Sequence, residues 1–168
     1  MFAGHTLETA PEASRQAMRK TAAAFGKVPD AVARLAGSPE LLNGFLELSA
    51  AFEGSTLDPL AREVVIMTVA VRNECHVCVS LHTGKLRALG AGPEVASALR
   101  AGRALDDERL DAVRVFTLEV LVAAGAVAED RLAAFLAHGY SERNALEVVL
   151  GIGTYTMSTL ANRLTRAA

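Results

Sequence analysis

Charged and apolar residues recur at three- and four-residue spacing along almost the whole chain, and its β-branched runs are short. That period belongs to helices with one face turned inward, and no segment reads as a convincing strand. The sequence therefore predicts an all-α fold, with helices over about 12–25, 30–35, 39–53, 59–73, 76–89, 92–101, 107–124, 128–138 and 141–166. Gly26, the Gly37-Ser38-Pro39 turn, Gly54-Ser55, Gly90-Ala91-Gly92-Pro93, Gly102 and Gly125 supply the breaks. Asp58-Pro59 has the form of an N-cap followed by a first-turn proline, and Ser141 that of a second N-cap.

No Pro- or Ser-rich linker divides the 168 residues, so residues 1–168 are expected to form one helical bundle with a real core. A net charge of -2 with no basic stripe and few aromatics argues against a nucleic-acid partner. The opening Met1-Phe2-Ala3-Gly4-His5-Thr6 lacks the charged-then-apolar plan of a secretion signal. Apolar runs such as Val120–Ala124 and Val64–Met67 are far too short to span a membrane. The default location is cytoplasmic, where a cysteine pair is a catalytic or metal-binding device more often than a structural staple. An apolar content of 51% is high for a small helical chain, which points to faces covered by other subunits in a homo-oligomer. Segments 111–124 and 145–160 are the stretches expected to be buried.

Both cysteines lie in Asn73-Glu74-Cys75-His76-Val77-Cys78-Val79-Ser80-Leu81-His82. A C-x-x-C pair can close a small disulfide ring and reopen it, and a nearby histidine can hold a thiol partly as thiolate, the form that attacks peroxides and disulfides. At roughly 100° per residue, Cys75, Cys78 and His82 share an arc of about 60° on a helix. Cys78 and His82 form an i,i+4 pair, so the imidazole sits where it can take the thiol proton. Cys75 falls at the helix start, where free N–H groups favour a thiolate.

Other chemistries use the same donors. Cys75, Cys78 and His82 with Glu63 could ligate zinc, although a second C-x-x-C or an H-x-x-x-H is absent from the sequence. The cysteines could also be an inert, packed pair. Thioredoxin-like folds place C-x-x-C after a strand, and this chain offers none. His5, His76 and His138 are expected at the surface or at helix ends, while Tyr155 and Phe52 are candidates for a pocket lining.

Glu63, eleven residues, Cys75-x-x-Cys78, three residues and His82 together resemble the signature of the alkyl hydroperoxidase D-like proteins of the carboxymuconolactone decarboxylase superfamily. Arg62-Glu63 and the apolar stretch up to Arg72-Asn73 resemble that family's approach to the motif, and the likeness is strongest over about 38–100. The resemblance implies an all-helical fold, assembly as a trimer or hexamer, and a peroxidase or thiol–disulfide oxidoreductase without cofactor or metal. It makes Cys78 the peroxidatic thiol, Cys75 the more accessible resolving thiol, His82 the base and Glu63 the carboxylate that orients it. The implied partners are a hydroperoxide and an outside dithiol donor of lipoyl- or thioredoxin-like type. The alternatives are a non-catalytic zinc-binding or redox-sensing module and a cysteine-independent decarboxylase of the same superfamily.

The likeness departs at Val77, where the best-studied members carry a second histidine. His76 stands one position earlier and would face about 100° away, so a slower dithiol exchange enzyme is the natural alternative. Glu63-Val64-Val65-Ile66 is echoed by Glu147-Val148-Val149-Leu150, and at the same offset Thr159, Asn162 and Arg166 stand in for Cys75, Cys78 and His82. The echo fits either an internal duplication or two helices of similar amphipathicity.

Overall fold

A computed structural model describes residues 2–167. The described residues form helices α1 (Glu12–Phe25), α2 (Asp30–Leu35), α3 (Pro39–Glu53), α4 (Pro59–Arg72), α5 (His76–Ala88), α6 (Pro93–Arg100), α7 (Glu108–Val122), α8 (Glu129–Ala137) and α9 (Glu142–Thr165), with no strand among them. The all-α prediction holds, and each helix lies within two residues of its predicted bounds. The caps explain why. Asp58 accepts from the Ala61 N–H with Pro59 in the first turn, Ser38 accepts from Leu41 ahead of α3, and Ser141 with Asn144 forms a capping box on α9.

The bundle is organised around α4. Ala61 through Ala70 are all buried except Arg62, because α5, α7 and α9 pack on its different sides. Phe52, Leu57, Val64, Val65, Ile66, Met67 and Val113 are at most 2% exposed, and full burial of such side chains contributes roughly 1.5–3 kcal/mol each. Helix α9 approaches this core through Gly151, where a Cβ would stand 2.6 Å from Cζ of Phe52. A smaller cluster of Ala17, Met18, Leu35, Leu42 and Ala161 binds α1, α2 and α3 to the far end of α9.

The turn between α4 and α5 places the thiols. Glu74 takes a left-handed conformation (φ 52°), its N–H bonds to Val71 O, and the Cys75 N–H bonds back to Ala70 O at 2.9 Å. This is a Schellman turn built without glycine. It stops α4 and starts α5 at once, leaving Cys75 as the N-cap residue of α5.

The expected burial of 111–124 and 145–160 is only half met. Val122 is 77% exposed, and α9 turns Leu146, Val149, Leu160 and Leu164 outward. A long helix packed on one side leaves its opposite face open whatever that face's polarity. Among the described residues no helix is long and apolar enough to cross a membrane.

Glu147, the echo of Glu63, is buried and ties the α3–α4 loop to α9. It accepts from the Thr56 N–H (2.9 Å), the Thr56 hydroxyl (2.8 Å) and the Leu57 N–H (3.2 Å), and pairs with Arg143. Burial works against its charge, but these hydrogen bonds outweigh burial and hold the carboxyl below its ordinary value. A lowered carboxyl stabilises the fold above its unfolded pKa, and that contribution disappears as the pH falls through the folded value. Glu147→Gln is therefore expected to cost about 1–3 kcal/mol at pH 7. Thermal melts should show a Tm deficit that shrinks steadily below about pH 4; a deficit independent of pH would assign the loss to packing alone.

Candidate active site

Helix α5 carries Cys75 at its cap, Cys78 in its first turn and His82 one turn further on, and all three are buried. Glu63 reaches them from α4 and is also buried, at 6% exposed. Its Oε2 lies 2.6 Å from Nδ1 of His82. With the carboxylate accepting from Nδ1–H, Nε2 is the ring nitrogen left for chemistry. Lys85 Nζ lies 4.0 Å from the second oxygen of Glu63 and 3.3 Å from Glu53. The pairing of Glu63 with His82 matches the expectation from the motif.

The cysteine sulfurs lie 2.9 Å apart as free thiols. Either thiol can donate across that gap, so the first ionisation of the pair is favoured and the second is opposed. The first falls on Cys75, which is lowered to about 6: the Cys78 thiol hydrogen bond is the main cause, burial opposes it, and the Cys78 backbone N–H, the Asn162 amide and the charge of His76 assist. Cys78 is pushed up, chiefly because its ionisation breaks its hydrogen bond to Cys75, then by burial and by the charge on Cys75; Asn162 and Ser158 pull it down. The shared hydrogen bond thus lets the pair carry one negative charge and opposes a second.

Two features differ from expectation. The imidazole of His82 hydrogen-bonds to Glu63 through Nδ1, and none joins its Nε2 to Cys78. Cys75 is no more exposed than Cys78, at 3% against 5%. The difference between the thiols lies in what each faces. Cys78 and His82 line a cavity of about 380 Å³ walled by Phe25, Val32, Leu35, Phe45, Leu46 and Leu81. Cys75 lines a separate hollow of about 240 Å³ with Glu74, His76, Arg163 and Arg166. The dithiol therefore bridges an apolar chamber and a polar one. Larger hollows between α1 and α3 and between α5 and α6 reach neither a cysteine nor His82.

Tyr155 of α9 sets its ring edge-on to His82, with centroids 5.4 Å apart, and its hydroxyl lies 3.2 Å from that of Ser49. Burial raises this phenol to about 12, so it is a neutral hydroxyl inside the chamber. Phe52, by contrast, belongs to the core. His76 and His138 are exposed, and His5 is half-buried with a hydrogen bond to Thr9 O. Among the described residues no three His, Cys, Asp or Glu side chains are placed to hold a metal ion. Asn162 was not expected at the site: its Nδ2 lies 3.4 Å from Cys78 Sγ and 4.0 Å from Cys75 Sγ. Its only signal in the sequence is that it stands in the echo where Cys78 would be.

The fold is shared with solved structures. A peroxidase-related protein from Ralstonia eutropha JMP134, described as an alkylhydroperoxidase AhpD core, superposes with a TM-score of 0.85 at 23% identity over 97% of this chain and 88% of that one. A peroxidase-related protein from Silicibacter sp. TM1040 gives 0.79 at 21% identity, covering 95% and 85%. A protein of unknown function from Agrobacterium tumefaciens gives 0.70 at 19%, covering 78% and 91%. No curated protein matches the sequence. The profile of the carboxymuconolactone decarboxylase family matches residues 38–130, more than half of the chain and the whole of the cysteine motif. With that match and that superposition, the chain belongs to the carboxymuconolactone decarboxylase family and has the AhpD-like fold.

Proposed function

We propose that this chain is a thiol-dependent peroxidase, a thiol–disulfide oxidoreductase that reduces alkyl hydroperoxides through Cys75 and Cys78. The observation that carries the proposal is a pair of free thiols 2.9 Å apart, one of which, Cys78, lines an apolar cavity together with His82, itself held by Glu63. An apolar chamber suits an organic peroxide, and desolvation there strengthens the interactions with its polar end.

As the peroxide binds, the proton between the sulfurs passes from Cys78 to Cys75. The Cys78 thiolate attacks the terminal peroxide oxygen, the O–O bond breaks, and a sulfenic acid forms on Cys78. His82, oriented by Glu63, accepts at Nε2 the proton then held by Cys75 and delivers it to the departing alkoxide, leaving Cys75 as thiolate. The Cys75 thiolate then displaces hydroxide from Cys78 to form the disulfide, and a solvent proton completes the water. An outside dithiol of lipoyl- or thioredoxin-like type attacks from the polar hollow beside Cys75, returning two electrons and leaving as its own disulfide.

The exposed stripe of Leu146, Val149, Leu160 and Leu164 supports self-association, and trimer-based assembly is proposed on the family's pattern. A reducing compartment such as the cytoplasm would keep the pair cycling.

One equivalent of cumene hydroperoxide is expected to lower the mass of the protein by two hydrogens, with the link mapping to Cys75–Cys78 within one chain. Alkylation followed by peptide mass analysis reads this directly. Two alkylated cysteines after peroxide treatment would refute it. Carboxymuconolactone decarboxylation, the family's other chemistry, would survive Cys75→Ser/Cys78→Ser, whereas peroxide reduction would not.

A further inference from the structure

Asn162 comes from the inner face of α9, is 5% exposed, and borders both the apolar cavity and the polar hollow. It is the side chain that spans the two cysteines from outside the motif. Nδ2 points at the sulfurs, at 3.4 Å from Cys78 and 4.0 Å from Cys75. At the other end of the amide, Oδ1 is buried with no hydrogen-bond partner. A buried carbonyl without a donor is costly to keep unless a step of the cycle supplies one. The sulfenic acid is a transient donor of the right kind, because its hydroxyl grows from the very sulfur that Asn162 touches.

We propose that Asn162 is the positioning residue of the dithiol: its Nδ2 amide donates to whichever sulfur carries the negative charge, and its Oδ1 accepts the hydroxyl of the sulfenic acid formed on Cys78. This rests on the peroxidase function proposed above. The amide is within reach of both sulfurs and favours charge on either one. When the proton crosses to Cys75, the same donor stays in reach of Cys78, so the charge moves within one hydrogen-bonding frame. After oxygen transfer the amide holds the S–O–H group away from a second peroxide and keeps the back of the sulfur open to Cys75. Ser158, which also favours charge on Cys78, lies one turn earlier on α9. The other ionisable groups around the pair are His76, His82 with Glu63, Lys85 with Glu53, Tyr155, and, on the Cys75 side, Glu74 with Arg163 and Arg166.

The test uses the full chain with Asn162→Asp, which puts a negative charge in place of the donor, and Asn162→Leu, which keeps the volume and removes both polar atoms. Without any peroxide, the pH midpoint of iodoacetamide alkylation is expected to rise by about one unit or more in Asn162→Asp and by roughly half a unit in Asn162→Leu. In a Cys75→Ser background given one equivalent of cumene hydroperoxide, dimedone-trappable sulfenic acid should decay at least about fivefold faster in Asn162→Leu. Thermal melts check folding, and a merely structural role would not move the alkylation midpoint of a variant that melts normally. If neither variant folds, the wild type decides: the side-chain amide resonances of Asn162 should titrate with the same midpoint as the thiols. Unchanged midpoints in a folded variant, or amide resonances indifferent to the titration, overturn the proposal. Because the alkylation arm contains no peroxide, its failure alongside normal peroxide turnover removes the role of Asn162 alone. A wild type that consumes no peroxide removes the peroxidase function and leaves the alkylation result readable.

Discussion

Cys78→Ser is expected to abolish hydroperoxide consumption, and Cys75→Ser to leave a single turnover that ends with a sulfenic acid on Cys78. The asymmetry follows from the two chambers: Cys78 shares the apolar cavity with His82, whereas Cys75 opens to the hollow lined by Glu74, His76, Arg163 and Arg166. It holds although the hydrogen bond with Cys78 makes Cys75 the easier thiol to ionise. A thiolate that cannot meet the peroxide does not react with it, and the proton needs only to cross the 2.9 Å between the sulfurs for Cys78 to become the nucleophile. Stopped-flow peroxide consumption with dimedone labelling reads both variants. Dimedone adduct on Cys75 in Cys78→Ser, with none on Cys78 in Cys75→Ser, would invert the assignment and make the more easily ionised thiol the peroxidatic one.

The second large effect is expected at the Glu63–His82 pair. The spacing of Cys78 and His82 predicts an imidazole that activates the thiol, but the imidazole hydrogen-bonds to Glu63 and not to Cys78. Its remaining nitrogen then serves the peroxide's leaving oxygen better than the thiol. His82→Gln should slow peroxide reduction by about 100-fold, in the usual range for loss of a positioned acid–base group. Alkylation of the same variant by iodoacetamide, which needs a thiolate but no general acid, should slow by less than about threefold. Glu63→Gln should fall between wild type and His82→Gln in peroxide reduction, since the amide still contacts Nδ1 but no longer fixes its tautomer. Equal losses in both assays would return His82 to the role of thiol activator. Melting curves must accompany both variants, because Glu63 and His82 are buried and removing one leaves the other without its partner.

The sequence by itself carried the helices and the motif. Their boundaries were legible because each is set locally, by Ser38-Pro39, by Asp58-Pro59, by Ser141 with Asn144 three residues on, and by glycines at the breaks. The meeting of Glu63 with His82 was legible through the motif as well, because one tight turn joins the helices that carry them. Three things were not legible. Helices α1 and α2, in a region with no motif and outside residues 38–130, supply Phe25, Val32 and Leu35 to the cavity wall. Asn162 comes to the thiols from more than 70 residues away in sequence, and no local pattern marks an asparagine that will face a sulfur. The two different hollows that the cysteines line were also invisible, since C-x-x-C is nearly symmetric as a string. Local spacing fixes which residues share a helix face, because that depends only on the rise and twist of one helix. Which hollow each thiol lines depends on helices packed from distant parts of the chain, and only the tertiary structure decides it.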